Sequence, residues 1–156
     1  MEVYSEIEDF ELHLNEAAKR FLKEAAKWAY FLSILGYLGI GFIIVAAIFA
    51  GAIFTTIGST MPGEIVGKFG SAFGIMITVV YLLIATLYFF PIYYLNKFSS
   101  KLKLALRNND PETLANSFEY LKSHYKYIGM MTLIILSFYV LILLGFLIVA
   151  LTVGIN

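Results

Sequence analysis

The sequence predicts an all-α polytopic membrane protein with three transmembrane helices, and three observations carry that expectation. Of its 156 residues 60% are apolar, 17% aromatic and only 14% charged, with a mean hydropathy of +0.83; roughly a quarter of a soluble domain is charged. Charge-free runs extend over Trp28 to Gly63, Phe69 to Asn96 and Tyr127 to the last residue, each longer than the about 20 apolar residues that cross a bilayer. Between the last two runs lies KFSSKLKLALRNNDPETLANSFEYLKSHYK, residues 97–126, a polar stretch with the period of two amphipathic helices. The chain is read as one membrane domain over 1–156. Its parts are an amphipathic helix over 4–27, a first span over 28–57, a second span with a polar extension over 61–107, and a helix over 111–153 that enters the lipid as the third span.

The N-terminal helix is expected because Ile7, Phe10, Leu14, Ala17, Phe21 and Trp28 fall on one helical stripe. Glu2, Glu6, Glu8, Asp9 and Glu11 come first and Lys19, Arg20, Lys23 and Lys27 last. That order complements the helix dipole and brings cations to lipid headgroups. The stripe, through Phe10, Leu14 and Phe21, either docks on the chain's own polar hairpin or lies on the membrane. Its acidic half, repelled by anionic lipid, favours docking. No basic start with a short apolar core is present, so a cleaved signal peptide is not expected.

Within the spans, small residues at helical spacing mark where helices can approach closely in lipid, where packing rather than hydrophobicity drives association. The packing candidates are Gly36, Gly39, Gly41, Ala47 and Gly51 on the first span and the Gly70/Gly74 pair on the second. TTIGSTMPGEIVGKFG, residues 55–70, is expected to break the chain between them, with Thr60 as N-cap and Pro62 in the tolerated first turn of the next helix. Pro91 is expected to kink the second span, which makes it a candidate hinge, and a neighbouring helix can satisfy the carbonyl it frees. Trp28, Tyr30, Tyr93, Tyr94, Tyr125 and Tyr127 are expected to form one interfacial belt.

Beyond the second span, Phe98, Leu102, Ala105 and Leu106 share one face and Lys97, Lys101, Lys103 and Arg107 supply solvation. Asn108 and Asn109 end this helix. Asp110-Pro111-Glu112 starts another, with a capping carboxylate, a preset φ and an acid in the positive first turn. Leu114, Phe118, Leu121 and Tyr125 then line one face, so an antiparallel hairpin is expected with its interface at Phe98, Leu102, Leu114, Phe118 and Leu121. Lysine plus arginine number four before the first span, one after it, six between the second and third, and none beyond. By the positive-inside rule the N-terminus and hairpin are expected in the cytoplasm, and the short loop and C-terminus outside.

The KEAAKW entry, the YFFPIYYLNKFSSKLKLAL exit and the NDPETLANSFEYLKSHYKYIG hairpin resemble a family of small bacterial membrane proteins, known from Bacteroidota, that forms a domain of unknown function. The resemblance covers about Phe21 to Gly129. It implies a bacterial inner membrane and transfers no catalytic residue.

Several chemistries lack their residues. There is no cysteine, hence no thiolate nucleophile or Cys-ligated metal. No charged residue or histidine lies within a span, as coupled transport and proton relays require. His13 and His124 have no partner at metal spacing and are expected to be solvated or packed surface residues. Ser99, Ser100 and Ser137 lack an adjacent base. The zero net charge argues against nucleic acid as a partner. No enzyme activity, metal or cofactor is expected. The expected role is a non-enzymatic module that assembles in the bilayer with itself or with a membrane-protein partner. The alternative is an oligomeric pore or lipid-interacting protein with Thr78, Thr86, Thr132 and Ser137 along its path.

Overall fold

The structure, a computed structural model, describes residues 15–154; Phe10, Leu14 and His13 lie outside them. The described chain forms three helices, α1 (Glu16–Thr60), α2 (Glu64–Asn108) and α3 (Pro111–Gly154). At 1.5 Å per residue, α1 and α2, with 45 residues each, are about 67 Å long. That is more than twice the about 30 Å of hydrocarbon. All three helices are long and apolar enough to cross a membrane, with length to spare for a polar bundle at one end.

Helix α1 begins where Asn15 accepts a hydrogen bond from Ala18 N at 2.7 Å, satisfying one of the orphan amides. It then runs without a break through Lys27 and Trp28. The described part of the basic segment, from residue 16, is therefore the first turns of the spanning helix, with no boundary at residue 27.

The link between α1 and α2 is shorter than the sixteen residues that were expected to break the chain, and consists of Met61, Pro62 and Gly63. Ser59 and Thr60 stay helical because their hydroxyls donate to Thr56 O (2.8 Å) and Ile57 O (2.9 Å). Thr60 is thus the last residue of α1, not an N-cap, and Pro62 lies in the link. The N-cap position belongs to Gly63 at φ 100°, a backbone conformation that a Cβ would strain.

At the other end, Asn109 takes the left-handed conformation (φ 49°), and Asp110 N reaches back to Ala105 O at 3.1 Å. Asp110 then caps α3. Its Oδ1 accepts from Glu112 N (3.0 Å) and Thr113 N (3.3 Å), and its Oδ2 from Thr113 Oγ1 (2.5 Å). The Thr113 hydroxyl and amide, with Glu112 N, hold this carboxyl below the ordinary aspartate value. A lowered folded pKa gives stability that is present above the unfolded pKa and lost as pH falls through the folded one. Acid titration of the hairpin should therefore show a loss of helix stability below the unfolded-aspartate pKa. Asp110→Asn, which keeps a capping oxygen, should remove that component of the pH dependence; an unchanged acid limb would contradict the assignment.

Helix α2 is the middle of the structure. Both α1 and α3 pack on it, antiparallel, and their backbones do not approach each other. At the polar end the core is built on Ala26, Ala29, Phe98 and Leu102, with Leu22, Leu95, Leu106, Leu114, Tyr120 and Leu121 packed around it. The buried positions of α1 recur by sevens through Ala26, Ser33, Ile40 and Ala47. They then step by four to Gly51 and by seven to Gly58. A period of seven keeps one stripe of a long helix against its neighbour, and a step of four re-phases it.

Candidate functional site

Three features stand out along this frame: a glycine seam between α1 and α2, a polar clip between α2 and α3, and a stretch of α3 that none of the described residues covers.

The seam lies toward the α1–α2 link. A methyl group at Gly70 would stand 2.5 Å from Gly58 Cα, and one at Gly74 would stand 2.7 Å from Gly51 O and 2.6 Å from Thr55 N. These contacts are backbone against backbone, so only hydrogen fits. Thr78 Oγ1 fills the space beside Gly51 and donates toward Gly74 O (3.1 Å) and Ala47 O (3.3 Å). A methyl group at Gly36 would stand 2.8 Å from the Ile92 side chain, which can move. Of the expected packing residues, Gly36, Ala47, Gly51, Gly70 and Gly74 therefore lie between α1 and α2. A methyl group at Gly39 or Gly41 would meet nothing within 4 Å, so these two lie outside the α1–α2 seam. Gly58, inside the stretch 55–70 that was expected to break the chain, sits instead in the seam against the backbone of Gly70. Its seven-residue spacing from Gly51 was the signal for it.

Toward the polar end a buried contact appears that hydropathy does not reveal. Asn96 Nδ2 donates to Ser33 Oγ at 2.9 Å, and Ser33 Oγ donates to Tyr30 O at 2.7 Å. Lys103 Nζ lies 3.9 Å from the centre of the Tyr30 ring, a cation–π contact.

The clip is organised by Pro91. Having no N–H, this residue leaves the carbonyl of Leu87, one turn earlier, without its helical donor. Tyr127 Oη of α3 donates to Leu87 O at 3.0 Å, and its ring lies 5.9 Å from that of Phe90. One turn away on α3, His124 Nδ1 lies 2.7 Å from Pro91 O. A carbonyl only accepts, so this nitrogen carries the hydrogen. His124 is thus a half-buried helix-to-helix donor, the packed one of the two expected surface roles. Pro91, the candidate hinge, is buried within an unbroken helix and braced by two side chains. Leu87 is eighteen residues from Phe69, where the charge-free run of α2 begins, about 27 Å along the axis.

Of the interface candidates, Phe98 and Leu102 are buried, and Leu114 and Leu121 pack on them. Phe118 meets Phe98 at 6.2 Å between ring centres while remaining 42% exposed. Phe21 is 62% exposed and lies away from the described core, on the flank of α1. The aromatic residues are staggered along α2: Tyr30 lies by Lys103, whereas Tyr127 lies by Leu87 and Phe90. The expected single-level belt is therefore spread over several turns.

Contacts between α2 and α3 fade past the clip. From Thr132 to Thr152 every residue of α3 is exposed around the whole circumference, and none of its most apolar stretch is buried. Of the four hydroxyl residues expected along an oligomeric path, Thr78 lies between α1 and α2, Thr86 and Ser137 donate to Leu82 O and Leu133 O of their own helices, and Thr132 is exposed.

Compared with known proteins, the chain matches no family model, no curated protein and no solved structure.

Proposed function

We propose that the chain is a non-enzymatic module of a bacterial inner membrane that works by assembly, the lipid-embedded half of α3 taking a second copy as its neighbour. One observation carries the reading: α3 is fixed to α2 at the polar core and at the clip, then continues for about one bilayer thickness with no partner among the described residues of its own chain. In lipid such a helix gains nothing from hydrophobicity alone and associates through shape and small residues. Gly145 of α3 has open space around it. The distribution of basic residues supports an orientation with the polar bundle in the cytoplasm.

Light scattering on gently solubilised protein tests this. The expected protein mass is at least twice the 17.5 kDa of one chain. A strict monomer with no copurifying membrane protein would sink the proposal, and a stoichiometric complex with a different protein would replace the second copy by that partner. In the other reading, a pore, purified protein in liposomes must raise ion or dye flux; background leakage excludes it.

A further inference from the structure

We propose that the outer face of α1 seats one anionic phospholipid, its headgroup held by Lys23, Lys27 and Trp28 and an acyl chain lying along the groove at Gly41. Arg20, Lys23, Glu24, Lys27, Trp28 and Phe31 line one concave patch of α1. Directly along the same helix face a second, apolar groove is formed by Ile34, Tyr37, Leu38, Gly41, Phe42 and Val45. Most of these positions lie across the helix from the buried Ala26, Ala29, Ser33 and Ile40 and point away from α2; Tyr37, its ring centre 6.0 Å from that of Phe89, forms the edge of the groove beside α2.

The dimensions fit a lipid. Ile34 to Val45 is about 16 Å along the axis, the depth of one leaflet when the whole hydrocarbon is about 30 Å. Gly41, with nothing within 4 Å, cuts a notch in this groove where any side chain would stand proud. Above it Trp28, 60% exposed, stands edge-on to Phe31 at 6.0 Å between ring centres, which suits an indole at the headgroup level with its N–H turned to a phosphate. The patch carries three cations and one acid. Among the described residues the only salt bridge near it is the neighbouring Lys19–Glu16 pair at 3.1 Å. Lys23 and Lys27 thus keep their charge for an anion, and a phosphodiester at the interface supplies it. Gly41 lies outside the α1–α2 seam, and this groove gives it a role there.

Trp28 is the only tryptophan in the chain and reports on the site. With full-length protein in phosphatidylcholine vesicles, a small mole fraction of brominated phosphatidylglycerol should quench Trp28 at least twofold more than the same fraction of brominated phosphatidylcholine. Lys23→Gln with Lys27→Gln should bring that ratio to one, and Gly41→Leu should reduce quenching by both lipids, with helix content by circular dichroism unchanged in each. Lys101→Gln with Lys122→Gln, equal in charge change but on α2 and α3, should leave the ratio intact. Equal quenching by the two lipids in the parent protein, a ratio that survives in the Lys23/Lys27 variant, or one lost equally in the Lys101/Lys122 control would overturn the proposal. So would loss of the ratio in inorganic phosphate but not in chloride of equal ionic strength, which would assign the cations to free phosphate.

Discussion

Replacing Gly58 by valine should separate α1 from α2 at their linked ends and cost about 3 kcal/mol of stability, the upper part of the range for overpacking a tight interface. The clash is with backbone: even the first carbon of the side chain would lie 2.7 Å from Gly70 Cα, and no rotamer change relieves it. Gly70→Val should behave alike. Gly39→Ala and Gly41→Ala are the internal controls. With nothing within 4 Å of either position, alanine should be neutral or stabilise by up to about 1 kcal/mol through helix propensity. Unfolding in detergent mixtures measures the energies, and spin labels on exposed Ile53 and Met76 measure the separation. A Gly58→Val protein as stable as the parent would mean that the seam does not hold the hairpin.

Tyr127→Phe should cost about 1–2 kcal/mol, and Pro91→Ala should abolish most of that cost. Interhelical hydrogen bonds in membranes average about 0.6 kcal/mol because the separated helices find other partners. Leu87 O is a harder case. Pro91 denies it a helical donor whether or not α3 is docked, and lipid offers none. The expected value therefore sits at the upper end. Alanine at position 91 restores an N–H for Leu87 O, so the tyrosine hydroxyl becomes dispensable. A double-mutant cycle should yield a coupling of about 1 kcal/mol. Additive effects would show that the hydroxyl and the proline are unrelated.

The two cases mark how far the sequence could be read. Three spans and the hairpin were legible because charge is so costly in lipid that uncharged runs delimit themselves. The polar core at Phe98, Leu102, Leu114 and Leu121 was legible because that end alternates apolar and charged faces. Neither signal survives inside the lipid, where packed and lipid-facing surfaces are equally apolar. Gly39 and Gly41 were therefore indistinguishable from Gly51 by composition, and Gly58 looked like a loop residue. The link was overestimated for a local reason: serine and threonine disfavour helix interiors but can bond a carbonyl one turn back, as Ser59 does to Thr56 O and Thr60 to Ile57 O. The role of Tyr127 depends on a register between α2 and α3 that only the folded hairpin fixes. Pro91 did announce that some neighbour would have to serve Leu87.

The unpartnered half of α3 remains the feature on which assembly rests, and disulfide cross-linking in intact membranes tests it most directly. Single cysteines can be placed one at a time from Leu133 to Leu151 in a chain that has none of its own. The expected result is chain-to-chain adducts that recur every three or four residues along one face of α3. No adduct at any position, or adducts equally frequent all round the helix and no more abundant than from a cysteine at exposed Phe42 of α1, would contradict it.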